Sequence, residues 1–290
     1  MIVIPGPASL SLAKKIAENL NARTVDVNIK TFPDGEYALC FDDDIADKEV
    51  VVVQSTGPPQ DMNVIQLLLM LDAAKDLGAK KVTVVVPYLA FARQDKRFLQ
   101  RAAVSVETLV KLIETCGVER FLTVNIHSEN ILKKFKIPTV NLSAIPLLAE
   151  HFSSGGFSGA FSLAPDKGAV RLAAEANKVL GGGFGWLHKE RDRYTGEIQV
   201  EEKSLNVKGK NVVVFDDIIS TGGTIARAIK MLKSQGARKV FAACAHPLLV
   251  GEAKTKIMDS GAEEIVGTDS LVSSVRTVSL APLIAEALSR

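Results

Sequence analysis

The chain has 290 residues, 47% of them hydrophobic and 23% charged, with glycine and proline spread along it, the make-up of a globular protein long enough for two domains. Its formal net charge is +2 with acids and bases interspersed, which argues against nucleic acid as a partner and leaves small anions. The longest apolar run, residues 82–92, is broken by Pro87 and too short for a bilayer; residues 1–6 read as strand and turn instead of a secretory leader; and Cys40, Cys116 and Cys244 have no metal or CxxC spacing. A cytoplasmic protein with reduced thiols and no membrane partner is expected.

Short runs rich in Val and Ile alternate with amphipathic stretches, the pattern of strand–helix–strand units and a parallel sheet. In chain order, strands are predicted at residues 1–4, 50–54, 82–86, 121–125, 161–164, 185–189, 212–215, 240–245 and 264–266. Residues 50–53 lead through a loop and a Leu-rich helix to Leu77-Gly78-Ala79-Lys80-Lys81-Val82. Residues 212–215 lead likewise through a helix at 225–235 to Gly236-Ala237-Arg238-Lys239-Val240. In each case the glycine suits the left-handed position that closes a helix. Cys116-Gly117-Val118-Glu119 and Ser260-Gly261-Ala262-Glu263 form a second such pair. The repetition implies a duplicated α/β domain joined near residues 143–147, with domains at 1–144 and 145–290. Gly181-Gly182-Gly183 follows a helix and reads as a turn, and the absence of GxxxxGK[ST] excludes a Walker-type ATPase.

The loops after the two equivalent strands differ in chemistry. The second reads Asp216-Asp217-Ile218-Ile219-Ser220-Thr221-Gly222-Gly223-Thr224 and the first Gln54-Ser55-Thr56-Gly57-Pro58-Pro59-Gln60-Asp61. A loop entering a helix N-terminus offers convergent N–H groups and the positive end of the helix dipole. Gly222 and Gly223 permit close backbone approach, Ser220, Thr221 and Thr224 add hydroxyls, and Asp216 and Asp217 can accept from sugar hydroxyls or hold a hydrated Mg²⁺. Donors at one end and acceptors at the other suit a sugar phosphate. The first loop has no acids at the strand end and loses two backbone donors to Pro58 and Pro59, so it is expected to have lost this site.

The string from the Val-rich strand through Thr224 resembles the phosphoribosyl-pyrophosphate loop of type I phosphoribosyltransferase folds. Five further segments resemble, in order, those of ribose-phosphate pyrophosphokinases: Phe32-Pro33-Asp34-Gly35-Glu36, Tyr88-Leu89-Ala90-Phe91-Ala92-Arg93-Gln94-Asp95-Lys96, Asn125-Ile126-His127, Pro165-Asp166-Lys167-Gly168 and Lys189-Glu190-Arg191. The resemblance, to archaeal-type members, implies an α/β fold of two similar type I phosphoribosyltransferase-like domains, each a mainly parallel sheet flanked by helices. It implies Mg²⁺-dependent transfer of the β,γ-diphosphoryl group of ATP to the anomeric hydroxyl of ribose 5-phosphate, for nucleotide biosynthesis.

On this resemblance Phe32, Asp34, Gly35, Glu36, Arg93 and Gln94 bind ATP, in a site completed across subunits of a homo-oligomer. His127 and Asp166 hold the metal. Lys189 and Arg191, on a charged hairpin, are the catalytic cations, and Arg191 joins Asp216, Asp217, Ser220, Thr221, Gly222, Gly223 and Thr224 in binding ribose 5-phosphate. Taken alone, Pro33-Asp34-Gly35 is a turn signal, His127 a strand-end histidine and Asp166 equally a helix cap. Three departures stand out: Asn125 where many members have Asp, the apolar Phe98-Leu99 after Lys96, and Ala46-Asp47 where phosphate-activated members have Arg-Gly. The loop alone leaves two alternatives open, a phosphoribosyltransferase that consumes the activated sugar and a non-catalytic regulatory relative.

Overall fold

The Val-rich runs are apolar on both faces, so they can be stable only as inner strands of a sheet covered on both sides. The computed structural model describes residues 1–97, 99–191, 198–201 and 205–290, with 188–191 and 198–201 described by backbone alone. The chain forms two units: residues 1–142 with 270–272 and 279–290, and residues 143–269 with 273–278.

The first unit contains β1 (Ile2–Pro5), α1 (Leu10–Leu20), β2 (Arg23–Thr24), β3 (Val27–Thr31), β4 (Tyr37–Phe41), β5 (Glu49–Val53), α2 (Gln60–Asp76), β6 (Lys81–Val86), α3 (Ser105–Thr115), β7 (Arg120–Val124) and β8 (Thr139–Leu142). The second has α4 (Ile145–Phe152), β9 (Phe161–Ala164), α5 (Val170–Leu180), β10 (Phe184–Trp186), β11 (His188–Arg191), β12 (Ile198–Glu201), β13 (Asn211–Ile219), α6 (Gly223–Ser234), β14 (Lys239–Pro247), α7 (Ala253–Asp259), β15 (Ile265–Thr268) and β16 (Arg276–Val278). The last helix, α8 (Ala281–Ser289), lies in the first unit.

Each unit is built on a parallel six-stranded sheet, with order β2-β1-β5-β6-β7-β8 in one and β10-β9-β13-β14-β15-β16 in the other. The registers correspond: Val50 pairs with Val82, and Val212 with Val240. Gly78 and Gly236 hold φ of 82° and 81°, the helix-closing role expected of them. The chain therefore has the doubled α/β design. Each unit also carries an antiparallel hairpin, β3–β4 and β11–β12.

Some elements differ from the sequence reading. The predicted strand at 185–189 is two strands, β10 in the sheet and β11 in a hairpin, and β13 runs on through Asp216 and Asp217 to Ile219. The short or half-exposed strands β2, β3, β4, β8 and β16 lie outside the sequence reading: β2, β3, β8 and β16 are not continuous apolar runs, and β4, though apolar throughout, alternates half-buried with exposed residues up to Phe41.

Helices α4 and α8 expose a repeat that strand matching overlooks. Ser143-Ala144-Ile145-Pro146-Leu147-Leu148-Ala149-Glu150 follows β8, and Ser279-Leu280-Ala281-Pro282-Leu283-Ile284-Ala285-Glu286 follows β16. In both, the serine hydroxyl accepts from the N–H two residues on, at 3.3 Å, and proline sits in the first helical turn, where its missing donor costs nothing. Leu148 and Ile284, at matching places, are fully buried. Helix α4 packs on α5 in the second unit and α8 on α1 in the first, with Arg120 donating to the carbonyl of Ala287. If α8 is integral to the first unit, Ile284→Ala should cost about 2–5 kcal/mol in chemical denaturation although it lies in the last helix. A loss within about 0.5 kcal/mol, as for a frayed end, would contradict this.

Candidate active site

Strand β13 delivers the two acids and the loop to the start of α6. The N-cap is Gly222 at φ 72°, and no side chain caps the helix. Among the described residues, the N–H groups of Thr221, Gly222, Gly223 and Thr224 have no hydrogen-bond partner. Gly222 is required twice over, by its left-handed backbone and because a Cβ there would stand 3.0 Å from the Ala253 carbonyl and from Ile257. Open donors at a helix N-terminus form an anion site by the partial charges they carry.

The carboxylates stay clear of those donors. Asp216 accepts from the N–H of Asp217 at 3.0 Å, and Asp217 from the N–H of Ile218 at 2.9 Å, so neither closes the helix terminus. Burial first, and then the neighbouring Asp217, pushes Asp216 well above the usual carboxylate range, with Asp166 adding to the effect. The second unit thus gathers Asp166, Asp216 and Asp217 around one loop. Asp166, two residues past β9, caps the following turn, accepting from the Gly168 N–H at 2.9 Å.

Among the described residues no three His, Cys, Asp or Glu side chains are placed to hold a metal. Hard carboxylates in ones and twos still fit Mg²⁺, which keeps several waters and takes the rest of its shell from substrate phosphates. Lys189 and Arg191 lie on β11, opposite Val200 and Ile198 of β12. Their side chains, and residues 192–197 of the predicted hairpin, are outside the described residues, as is Phe98.

The remaining predicted residues lie in the first unit. Phe32, Asp34, Gly35 and Glu36 form the exposed tip of the β3–β4 hairpin, where the N–H of Glu36 donates to the Asp34 carboxylate at 3.1 Å. Lys30, which sequence reading passed over, places its ammonium 5.2 Å from the Phe32 ring centre and so covers one face of an exposed aromatic. Arg93 and Gln94 are exposed in a turn after β6. His127 is exposed beyond β7, and the turn before it depends on two asparagines. Asn125 holds φ 38°, and the Asn141 side chain accepts from the Ile126 N–H at 3.0 Å.

The equivalent loop of the first unit is closed by its own side chains. Gln54 accepts from the Ala8 N–H and donates to the Asn63 carbonyl, and Asn63 donates to the Gly57 carbonyl. Ser55 donates to the Ser270 carbonyl, Thr56 to that of Tyr88, and Leu271 fills the space where a Gly57 side chain would stand.

Two α/β units, one with an open anion loop headed by acids, define a protein of the phosphoribosyltransferase fold class. Residues 1–117 match the N-terminal domain of ribose phosphate pyrophosphokinase, and residues 135–270 the phosphoribosyl transferase domain. Relatives named ribose-phosphate pyrophosphokinase are 44% identical in Methanobrevibacter smithii, over 99% of both chains, and 39% identical in Saccharolobus solfataricus, over 93% of both. The crystal structure of phosphoribosylpyrophosphate synthetase from Mycobacterium smegmatis superposes with a TM-score of 0.89 at 30% identity, covering 99% of this chain and 97% of that one. The chain belongs to the ribose-phosphate pyrophosphokinase family.

Because Asp216 holds its proton more tightly in the folded chain than the ordinary value of 3.8 allows, the folded state binds more protons than the unfolded one above that pH. This contribution to stability is present at low pH and lost as the pH rises through the folded value. Asp216→Asn, which cannot ionise, should be more stable than the parent at neutral pH in metal-free buffer, and the gap should close on acidification. Urea unfolding across a pH series measures this, and a gap that widens toward low pH would disprove it.

Proposed function

We propose that the chain transfers the β,γ-diphosphoryl group of ATP to the anomeric hydroxyl of ribose 5-phosphate. The hydroxyl oxygen bonds to the β-phosphorus, the bond from that phosphorus to the α,β-bridging oxygen breaks, AMP departs and the hydroxyl proton is released. The observation that carries this reading is the loop at the head of α6, whose unpaired N–H groups suit the 5-phosphate while the adjoining carboxylates suit the ribose hydroxyls. Phe32, with one face covered by Lys30, would stack its other face on adenine, and the exposed Asp34, Glu36, Arg93 and Gln94 are assigned to the nucleotide.

Asp166 and His127 are the residues assigned to Mg²⁺, which when bound neutralises charge on the transferred phosphates. Lys189 and Arg191 are assigned to the charge that develops on the phosphoryl oxygens, and in-line positioning with charge stabilisation then accounts for most of the chemistry. Residues 1–144 would supply the nucleotide and subunit contacts, and residues 145–290 the sugar site. Self-association is part of the proposal, supported by the exposed apolar stripe Met62, Ile65 and Leu69 along α2. No helix among the described residues is long and apolar enough to cross a membrane, and a cytoplasmic location for nucleotide biosynthesis is proposed.

Incubation with ATP, Mg²⁺ and ribose 5-phosphate should give AMP only when the sugar is present; AMP formed at the same rate without it would sink the proposal. Lys189→Ala should lower kcat by about a hundred- to a thousandfold, and parental activity in that variant would remove the catalytic assignment. With Ala46-Asp47 in place of Arg-Gly, the rate should be little changed by added inorganic phosphate, and sigmoidal activation would count against that reading.

A further inference from the structure

Two residues other than glycine hold left-handed backbone angles at equivalent points of the doubled fold. Phe91 has φ 62° and Leu249 φ 47°. In this region the Cβ of an L-residue crowds the backbone, and bulky side chains are outliers there. Each stands thirteen residues beyond the glycine that closes the preceding helix, Gly78 or Gly236, so the strain recurs at one position although the side chains differ. Such strain persists only where the surroundings over-determine the conformation.

The surroundings of Leu249 are explicit. Its N–H donates to the Ile219 carbonyl at 2.9 Å, and the N–H of Val250 to the Ser220 carbonyl at 3.0 Å. Two successive acceptors at the junction of β13 and its loop are thereby tied to this turn. The Leu249 side chain packs against the buried cluster that includes Ile219, Ile225 and Ile257, and Ile257 in turn backs onto Gly222. The turn grips the loop by its acceptors and leaves the donors of Thr221, Gly222, Gly223 and Thr224 unpaired. In the first unit the carbonyl of Phe91 accepts from the Gln94 N–H at 2.8 Å, closing the turn that sets out Arg93 and Gln94.

We propose that Leu249 and Phe91 are positioning residues, one for each substrate: Leu249 fixes the loop that receives the pentose phosphate, and Phe91 fixes the turn that presents Arg93 and Gln94 to the nucleotide. This rests on the substrate sites assigned above. Each residue acts through the backbone it holds, so replacement by glycine, which relieves the strain but lets the turn sample other conformations, should weaken one substrate and spare the other.

The test is steady-state kinetics of the full-length enzyme with both substrates varied, alongside thermal melts. Leu249→Gly should raise the KM for ribose 5-phosphate by about tenfold and leave that for ATP within about twofold, while Phe91→Gly should show the reverse. Leu249→Met, which keeps an apolar side chain for the cluster, should restore the parental KM. Equal rises in both KM values, or a lowered melting temperature with both KM values unchanged, would overturn the proposal. If Leu249→Gly does not fold, Leu249→Asn gives the same reading, since asparagine tolerates the left-handed region but is too polar for the cluster. Thr224→Ala run in parallel separates the two levels. An unchanged ribose 5-phosphate KM there removes the site assignment and the proposal with it; a raised KM there, with an unchanged one in Leu249→Gly, removes the brace alone.

Discussion

A loop that binds phosphate through its backbone must keep its N–H groups unpaired by the protein and still hold them in fixed directions, two demands that ordinarily conflict because backbone donors seek partners. The loop between β13 and α6 meets both by being held through its carbonyls. Ile219 and Ser220 accept from the turn at Leu249 and Val250, and Gly222 lies hard against Ala253 and Ile257. Asp216 and Asp217 could have capped α6 and closed the site; they accept instead from the N–H groups immediately following them. The raised affinity of Asp216 for its proton comes first from its burial and then from the neighbouring Asp217.

The first unit shows the same loop closed by its own side chains. The equivalent strand and helix are present in the same register, but Gln54, Ser55, Thr56 and Asn63 satisfy the loop with side-chain hydrogen bonds, and Leu271 occupies the space beside Gly57. A phosphate would have to displace buried, fully paired groups, each costly to leave unsatisfied. Loss of the acids and gain of Pro58-Pro59 gave the sign of this in the sequence. The means of closure did not show there, because Ser270 and Leu271 reach the loop from more than two hundred residues away.

What was legible in the sequence was whatever local chemistry dictates. Val-rich runs gave the inner strands, Gly78 and Gly236 the helix ends, and the string from Asp216 to Thr224 the anion loop. Strands β3 and β4 pair only with each other and bury little beyond Phe41, so they lack the mark of inner strands, yet they carry the tip bearing Phe32. The last residues of β13 read as loop in sequence because two acids normally end a strand; pairing with β14 as far as Pro247 overrides that tendency. The left-handed angles of Phe91 and Leu249 had no signal at all, since neither is a glycine or asparagine and the conformation is imposed by tertiary contacts.

The repeated segment at α4 and α8 bears on how the doubling is put together. Each copy follows the last strand of one sheet in sequence, β8 or β16, yet α4 is counted with the second unit and α8 with the first. The first unit is then not completed by one continuous stretch of chain: residues 1–142 lack α8, the helix that packs on α1, whose Leu12 and Ile16 are buried. Loss of α8 would therefore expose the apolar face of α1 that it covers. The first unit, its loop closed by its own side chains, thus takes its last helix from beyond the second sheet in sequence, and it carries the hairpin of Phe32, the turn of Arg93 and the strand end before His127.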